Sequence, residues 1–479
     1  MARQPSTKQL RDWDRRYLWH PFTQMQEWEQ EDPLIIERGK GSYLIDTEGN
    51  KYFDGTSSIW VNLHGHRHPV LDRALNKQLD KIAHSTFLGL SNPPAIELAR
   101  ELIRIAPKGL TRVFYSDNGS TAVEIALKMA IQYWQQRRPE VGPKHTFLHL
   151  KLAYHGDTIG AVSVGNIDLF HSRFKPLLFS TLEAEPPYCY RCPFTLTYPS
   201  CRMACIDPIE QILKSRHREL AGFIIEPLMQ AAAGMIPQPA GYLKRIRELC
   251  TKYGVLLIAD EVATGFGRTG RMFACEHEGV TPDLMAISKG LTGGYMPLAV
   301  TLTTDEIYRG FLGTYNEFKT FFHGHSFTGN PLGCSVALAN LQVFRQEKTL
   351  SRLFSKIKLL TRWLSPMAEM PNVGDIRQCG FMVGIELVKD KRTKKPYALE
   401  ERVGHKVAME ARRRGLLLRP IGSVMILMPP LSTSLPELRR MVKILQASIE
   451  TVTQLPASNP IQVHPPVGLL GNKHKDLHE

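Results

Sequence analysis

The residues of this chain that could do covalent chemistry stand just after short apolar runs. Leu284-Met285-Ala286-Ile287-Ser288 leads into Lys289 and Gly290. A lysine at the end of a buried strand is costly unless it is paired or works as an amine nucleophile of lowered pKa. Val255 to Ala259, too short for a helix, leads into Asp260 and Glu261. As a strand, that run would carry both acids to its carboxyl end, where open α/β sheets bind ligands. A partly desolvated carboxylate there seeks a cation or an N–H donor, and a salt bridge to a nearby Arg or Lys is the plain alternative. Gly222 to Glu226 brings a further acid to a strand end before Pro227. It reads either as a polar partner beside the same site or as a sheet-edge salt bridge.

Val113 to Ser116 ends in Asp117-Asn118-Gly119-Ser120, after which a helix is expected from about Thr121 to Arg137. Gly119 lets the backbone approach a ligand, while unpaired N–H groups and the positive end of the dipole face outward, which is how a helix start holds phosphate. The same Gly-Ser pair also reads as an ordinary cap. Thr121 with Glu124 fits a capping box, and Ala122, Ile125, Ala126, Met129 and Ala130 give the helix an apolar stripe. A phosphate grip, a carboxylate and a lysine in this order are the parts needed to hold pyridoxal phosphate. The lysine bonds the aldehyde, the carboxylate keeps the ring nitrogen protonated, and the ring takes up charge when a substrate Cα loses a proton. Tyr154, in Ala153-Tyr154-His155-Gly156-Asp157, could stack on the ring or pack in the core.

Holding such groups together needs a layered scaffold, and the chain has the pattern for one. Apolar runs alternate with segments of helical period, which predicts an α/β fold with a mostly parallel central sheet. A helix is expected near Tyr242 to Tyr253. Gly41 to Asp46 and Lys51 to Asp54 flank Glu48-Gly49-Asn50 and read as a hairpin. Residues 1–70 are therefore expected to form the N-terminal part of a smaller domain, and 71–334 the large domain. In 335–455, a helix from Ser335, strands near Met382 to Leu387 and Met425 to Met428, and a helix from about Glu400 to Arg414 give the C-terminal, α+β part of the small domain. Residues 456–479, rich in proline, histidine and lysine, are expected to be a flexible tail.

At 479 residues, 43% hydrophobic and 22% charged, the chain has globular proportions, which excludes disorder or a fibrous architecture for its bulk. It has no internal repeat, no run near the roughly 18 apolar residues a spanning helix needs, and charges at Arg11, Asp12, Asp14, Arg15 and Arg16 where a signal peptide would be apolar. A cytoplasmic protein with no membrane partner is expected. Much of the net charge of +14 lies in Lys389, Lys391, Arg392, Lys394, Lys395 and Arg412 to Arg414. No aromatic residues interleave with them, so a solvated surface is expected and no nucleic-acid partner. Cys189, Cys192, Cys201 and Cys205 form C-x2-C-x8-C-x3-C, which reads as a tetrahedral metal site or as reduced thiols in a surface loop. His64, His66 and His68 carry a weaker metal signal.

The motifs DNGSTAVE (from Asp117), AYHGDT (from Ala153), FIIEP (from Phe223), LLIADEVATGFGRTG (from Leu256), AISKGLTGG (from Ala286) and HGHSFTGNPLGC (from His323) resemble those of the class III aminotransferases of pyridoxal-phosphate fold type I. The resemblance spans roughly residues 15–450. WHPFTQM (from Trp19), SSIWVNLHGHRHP (from Ser57), YWQQR (from Tyr133) and LLLRPIGSVMILMPP (from Leu416) are similar to the branch that aminates 8-amino-7-oxononanoate in biotin synthesis. This implies a ping-pong enzyme and a homodimer with shared active sites. It assigns Gly119 and Ser120 to the cofactor phosphate, Tyr154 to the ring face, Asp260 to the ring nitrogen and Lys289 to the cofactor aldehyde. His325 and Ser326 would reach the phosphate of the other subunit, Gly324 would lie beside the substrate, and Arg419 would bind the acceptor's carboxylate. The best-known members carry tyrosine, tryptophan and proline-threonine where Phe22, Ile59 and His325-Ser326 stand here, so the substrate site is shaped differently. The implied donor is S-adenosylmethionine or lysine. An ω-amino acid transaminase acting on ornithine or 4-aminobutyrate is the alternative within the fold. A basic, metal-bearing binding module is the alternative outside it.

Overall fold

The computed structural model describes residues 5–137 and 144–454. At its centre is a sheet of seven strands: β1 (Leu110–Ser116), β2 (Thr146–Leu150), β3 (Leu182–Ala184), β4 (Leu220–Ile225), β5 (Leu256–Asp260), β6 (Leu284–Ile287) and β7 (Ala299–Thr304). Their order is β1-β7-β6-β5-β4-β2-β3. From β3 to β6 all neighbours are parallel. β7, which like β2 and β3 has no counterpart among the sequence expectations, runs antiparallel to both β6 and β1. The sheet is thus mostly parallel with one reversed strand inside it.

Every residue of β4, β5 and β6 is buried, as expected of strands covered on both faces. The helix Gly119–Arg137 lies on one face, with eight of its residues buried, Ala122, Ile125, Ala126 and Ala130 among them. Its small side chains let it approach β6 and β7. Tyr242–Tyr253 covers strands from the opposite cluster with Leu243, Ile246 and Leu249. Gly254 ends that helix in a left-handed conformation (φ 60°) and returns its N–H to the Cys250 and Thr251 carbonyls, a turn that glycine makes without Cβ strain. β5 follows two residues later.

Two smaller sheets flank this layer. Ile36–Lys40, Tyr43–Asp46 and Lys51–Asp54 form an antiparallel meander, and Leu416–Leu417 joins its edge in parallel with Lys51–Asp54. The second sheet joins Val373–Cys379, Met382–Asp390, Lys395–Pro396 and Val424–Leu427. The expected tail at 456–479 lies outside the described residues.

The expected capping box is corrected by the structure. Thr121 Oγ1 donates to Asp117 Oδ1 at 2.8 Å, and the Thr121 N–H donates to Asn118 Oδ1 at 3.1 Å, so Asn118 caps the helix. Glu124 does not reach back. Its Oε1 instead accepts from Thr158 Oγ1 at 2.6 Å and from the Gly160 and Ala161 N–H groups at 2.7 and 3.2 Å. The carboxylate goes to those N–H donors because they open the next short helix, Ile159–Ser163, and have no partner of their own.

Candidate active site

The parallel register decides which side chains meet. Ala259 of β5 pairs with Ile225 of β4, and Asp260 pairs with Ala286 of β6. Glu226, Asp260 and the Ser288-Lys289 pair therefore leave adjacent strand ends on one side of the sheet. They line a cavity of about 480 Å³ with Gly119, Ser120, Tyr154, His155, Trp60 and Val262. Phosphate-type helix start, acid and amine are brought together as the motifs require.

Lys289 begins a short 3-10 turn with φ 38°. Its Nζ lies 5.1 Å from the centroid of the Trp60 ring. Burial lowers its pKa, while Asp260 and then Glu226 pull it back up. No hydrogen bond or ion pair occupies this amine among the described residues, which leaves it available as a nucleophile.

Asp260 is held on both oxygens. Oδ2 lies 2.7 Å from His155 Nδ1, and Oδ1 accepts the Val262 N–H at 3.0 Å. Each oxygen of a carboxylate keeps a further lone pair, so a cofactor N–H remains within its capacity. The His155 side chain is fully buried, and its Nε2 has no hydrogen-bond partner among the described residues. Sequence reasoning passed over His155 in favour of Tyr154; its signal was a histidine in a small-residue turn close to the acid-bearing strand end.

The Tyr154 loop is fixed from three sides. The Tyr154 N–H donates to Glu226 Oε1, Tyr154 Oη donates to Asp157 Oδ2 at 2.8 Å, and the Asp157 N–H donates to Ser120 Oγ at 3.0 Å. Burial, with Asp157 next, raises the Tyr154 hydroxyl pKa, so the phenol stays neutral. Gly156 sits at φ 125°, and a Cβ there would stand 1.9 Å from Ser120 Oγ. The Tyr154 loop and the helix start are therefore packed backbone to side chain.

Trp60 arrives by an unusual route. Ser57, Ser58, Ile59 and Trp60 all have positive φ, between 49° and 69°, a left-handed path that disfavours L-residues by about 1–2 kcal/mol each. Hydrogen bonds hold it: Ser58 N and Oγ to the two Asp54 oxygens at 2.8 Å each, and Ser57 Oγ to the Met428 carbonyl at 2.6 Å. Strain stored this way is typical of functional sites. Fully buried Arg268 adds to the clamp by donating to the Asn62 and Pro429 carbonyls at 2.9 and 2.7 Å, and burial lowers its pKa to about 9.

The remaining expected residues lie outside the cavity lining. Ile59 is exposed, and its neighbour Trp60 takes the wall. Phe22 (φ 51°) meets Phe170 edge to face at 5.4 Å, Phe170 meets Tyr154 at 6.3 Å, and the Arg419 guanidinium stands 5.9 Å from the Phe22 ring. Phe22 and Arg419 are thus joined to Tyr154 through Phe170, a residue that no motif or spacing singled out. Gly324, His325 and Ser326 do not line the cavity of their own chain.

The residues present fit pyridoxal phosphate: a helix start with free N–H groups, a buried acid with acceptor capacity to spare and an unengaged amine share one cavity. The weaker metal signals resolve differently. His64 bonds Asn340, His66 bonds Asp54 and His68 bonds Glu347. Cys189, Cys192, Cys201 and Cys205 are free thiols around a small void, and among the described residues no group of three or more His, Cys, Asp or Glu side chains is arranged to hold a metal. Tyr188 and Arg191 moor that loop to Glu386, which also pairs with Arg377 at 2.6 Å. In the basic clusters, Arg413 and Arg414 pair with Glu410, and Lys389 pairs with Glu401. Among the described residues no helix is long and apolar enough to cross a membrane.

Residues 24–449 match the family described as aminotransferase class-III. An adenosylmethionine-8-amino-7-oxononanoate aminotransferase of Geobacter sulfurreducens is 56% identical over 93% of this chain and 98% of the relative. The crystal structure of the enzyme of that name from Methanocaldococcus jannaschii superposes with a TM-score of 0.89 at 47% identity, covering 93% of this chain and 99% of that one. A PLP-bound amine transaminase from an uncultivated Pseudomonas species superposes with a TM-score of 0.87 at 36% identity, covering 91% and 99%.

Proposed function

Because the chain belongs to the class-III aminotransferase family, we infer that it is a pyridoxal-phosphate enzyme that aminates 8-amino-7-oxononanoate to 7,8-diaminononanoate in biotin synthesis. The observation that carries the chemistry is the shared cavity of Lys289 and Asp260, set by the parallel pairing of β4, β5 and β6. When bound, the cofactor supplies a protonated ring that takes up the charge left at a substrate Cα on deprotonation. The Gly119 and Ser120 N–H groups would hold its phosphate. Asp260, oriented by His155 and the Val262 N–H, would accept the ring N–H. Tyr154 would cover the ring face. Lys289 would hold the cofactor at its aldehyde, and as a free amine it would be placed to carry the proton at the substrate Cα.

Arg419 is a planar fork suited to the acceptor's carboxylate, and Phe22 and Phe170 offer apolar surface for the carbon chain between the carboxylate and the reacting carbon. Large exposed apolar residues, Trp19, Leu88, Tyr315, Phe322 and Phe327 among them, support a second copy of the chain covering part of the surface. That copy would bring His325, Ser326 and Gly324 to the neighbouring cavity. Free cysteines throughout the described residues support a reducing, cytoplasmic setting.

The amino donor follows the name of the relatives, S-adenosylmethionine, with lysine as the second reading on account of Phe22 and Ile59. The test uses the yellow holoenzyme. Borohydride should fix the cofactor to the peptide that contains Lys289, and one donor added alone should bleach the colour. Labelling of a different lysine, or no response to either donor, would overturn the reading.

A further inference from the structure

The reaction above leaves one buried acid of the cavity without a task. Glu226 and Asp260 come off neighbouring parallel strands, so two carboxylates enter the same desolvated space. Neighbouring buried carboxylates do not both ionise easily. Their partners distinguish them. Asp260 has the His155 imidazole at 2.7 Å. Glu226 has no ion-pair partner among the described residues; Oε1 accepts the Tyr154 N–H at 3.2 Å and Oε2 accepts the Ala231 N–H at 2.9 Å.

Those two N–H groups belong to different walls. Tyr154 is on the loop after β2, and Ala231 is on the segment after β4. A protonated carboxyl keeps an acceptor lone pair on each oxygen, so Glu226 can bridge the walls in either protonation state. The titratable groups that share its cavity include Asp117 after β1, Tyr154 and His155 from the loop after β2, Asp260 from β5 and Lys289 after β6.

We propose that Glu226 is a positioning residue that carries a proton while the cavity is free of cofactor and, by keeping or losing it, sets how tightly the Lys289 amine holds its own. This rests on Lys289 being the amine that captures the cofactor. Burial raises the Glu226 acid to about 7; His155 opposes the rise and Asp260 adds to it. Ionised Glu226 favours the Lys289 ammonium. Neutral Glu226 leaves Asp260 as the main charge opposing the burial of that ammonium, so the amine sheds its proton more readily.

The experiment follows cofactor capture. Apoenzyme is mixed with excess pyridoxal phosphate, and the growth of bound-cofactor absorbance is timed across a pH range centred on 7. The wild type should show a break near that pH which Glu226→Gln lacks. Above the break the variant should capture faster by about threefold to tenfold, the effect of half to one unit in the amine's pKa. Below it the two should agree. Matching profiles would overturn the proposal. Failure of the wild type to capture cofactor at any pH would overturn the functional reading as well, so the two failures are distinguishable. Should Glu226→Gln fail to fold, infrared spectra of wild-type enzyme labelled with carbon-13 glutamate decide the matter. A protonated-carboxyl band that carries the isotope shift and fades through pH 7 supports the proposal; its absence refutes it.

Discussion

Gly156→Ala tests whether the Tyr154 loop and the helix start proposed to hold phosphate form one rigid unit. At φ 125° an alanine is strained whatever space surrounds it, at about 1–3 kcal/mol. The new Cβ would also lie 1.9 Å from Ser120 Oγ, 2.6 Å from its Cβ and 2.9 Å from its Cα. Turning the hydroxyl away relieves only the first of these clashes. The clash with the backbone atom requires the helix start or the loop to move, at a further ~1–3 kcal/mol typical of overpacking. The sum is about 2–6 kcal/mol, divided between fold stability and cofactor affinity. With about 1.4 kcal/mol per decade, we expect cofactor binding, titrated by absorbance, to weaken by about tenfold or more. Ser120→Gly removes two of the three clashes, so Gly156→Ala should lose about 1–2 kcal/mol less in that background, a coupling a double-mutant cycle measures. Cofactor affinity within about twofold of wild type, with no coupling to Ser120, would refute the close packing on which the site geometry rests.

Further outcomes follow from other interactions. Arg419→Ala should raise the KM for the keto acceptor by about tenfold or more, the loss of a bidentate ion pair, and leave the donor half-reaction nearly unchanged; an unaltered acceptor KM would place the carboxylate elsewhere. His64 is buried against Asn340, and burial lowers its pKa from 6.5 to about 4. The unfolded chain therefore binds the proton first as pH falls. His64 stabilises the fold fully above 6.5, and that contribution, on the order of 3 kcal/mol, is lost between 6.5 and about 4. Thermal melts across this window should fall less steeply for His64→Asn; parallel curves would exclude the imidazole as a source of acid sensitivity.

The strand-end acids and the amine were legible because each stands at or just past the end of an apolar run too short for a helix, and a parallel sheet gathers such ends on one side. Tyr242–Tyr253 and β6 were legible for the same reason, periodicity bounded by glycine or by polar residues. β7 was missed because AVTLTT, half threonine, lacks a clear apolar run; the Thr301 hydroxyl is satisfied inside the core by the Ala122 carbonyl. Local pattern also misassigned Glu124, whose partners lie more than thirty residues away. Trp60 and Phe170 could not be read off the sequence, since a left-handed backbone and a chain of touching rings bring them to the site. Glu226 was left between two readings, and the absence of any cationic partner within bonding reach in the described structure decides between them.

The strand Leu416–Leu417 has a consequence for how the molecule is made. It completes the sheet begun by Lys51–Asp54, pairing Leu416 with Phe53 across about 360 residues. At ribosomal rates of about 5–20 residues per second, the first strands wait roughly 20 to 70 s for their last neighbour to be synthesised. Arg419 emerges with that neighbour, so the nascent chain can assemble its central sheet well before it owns the guanidinium proposed to bind the acceptor. Newborn copies pass through a period with an open sheet edge at Lys51–Asp54, an unpaired strand of the kind that another chain can pair with.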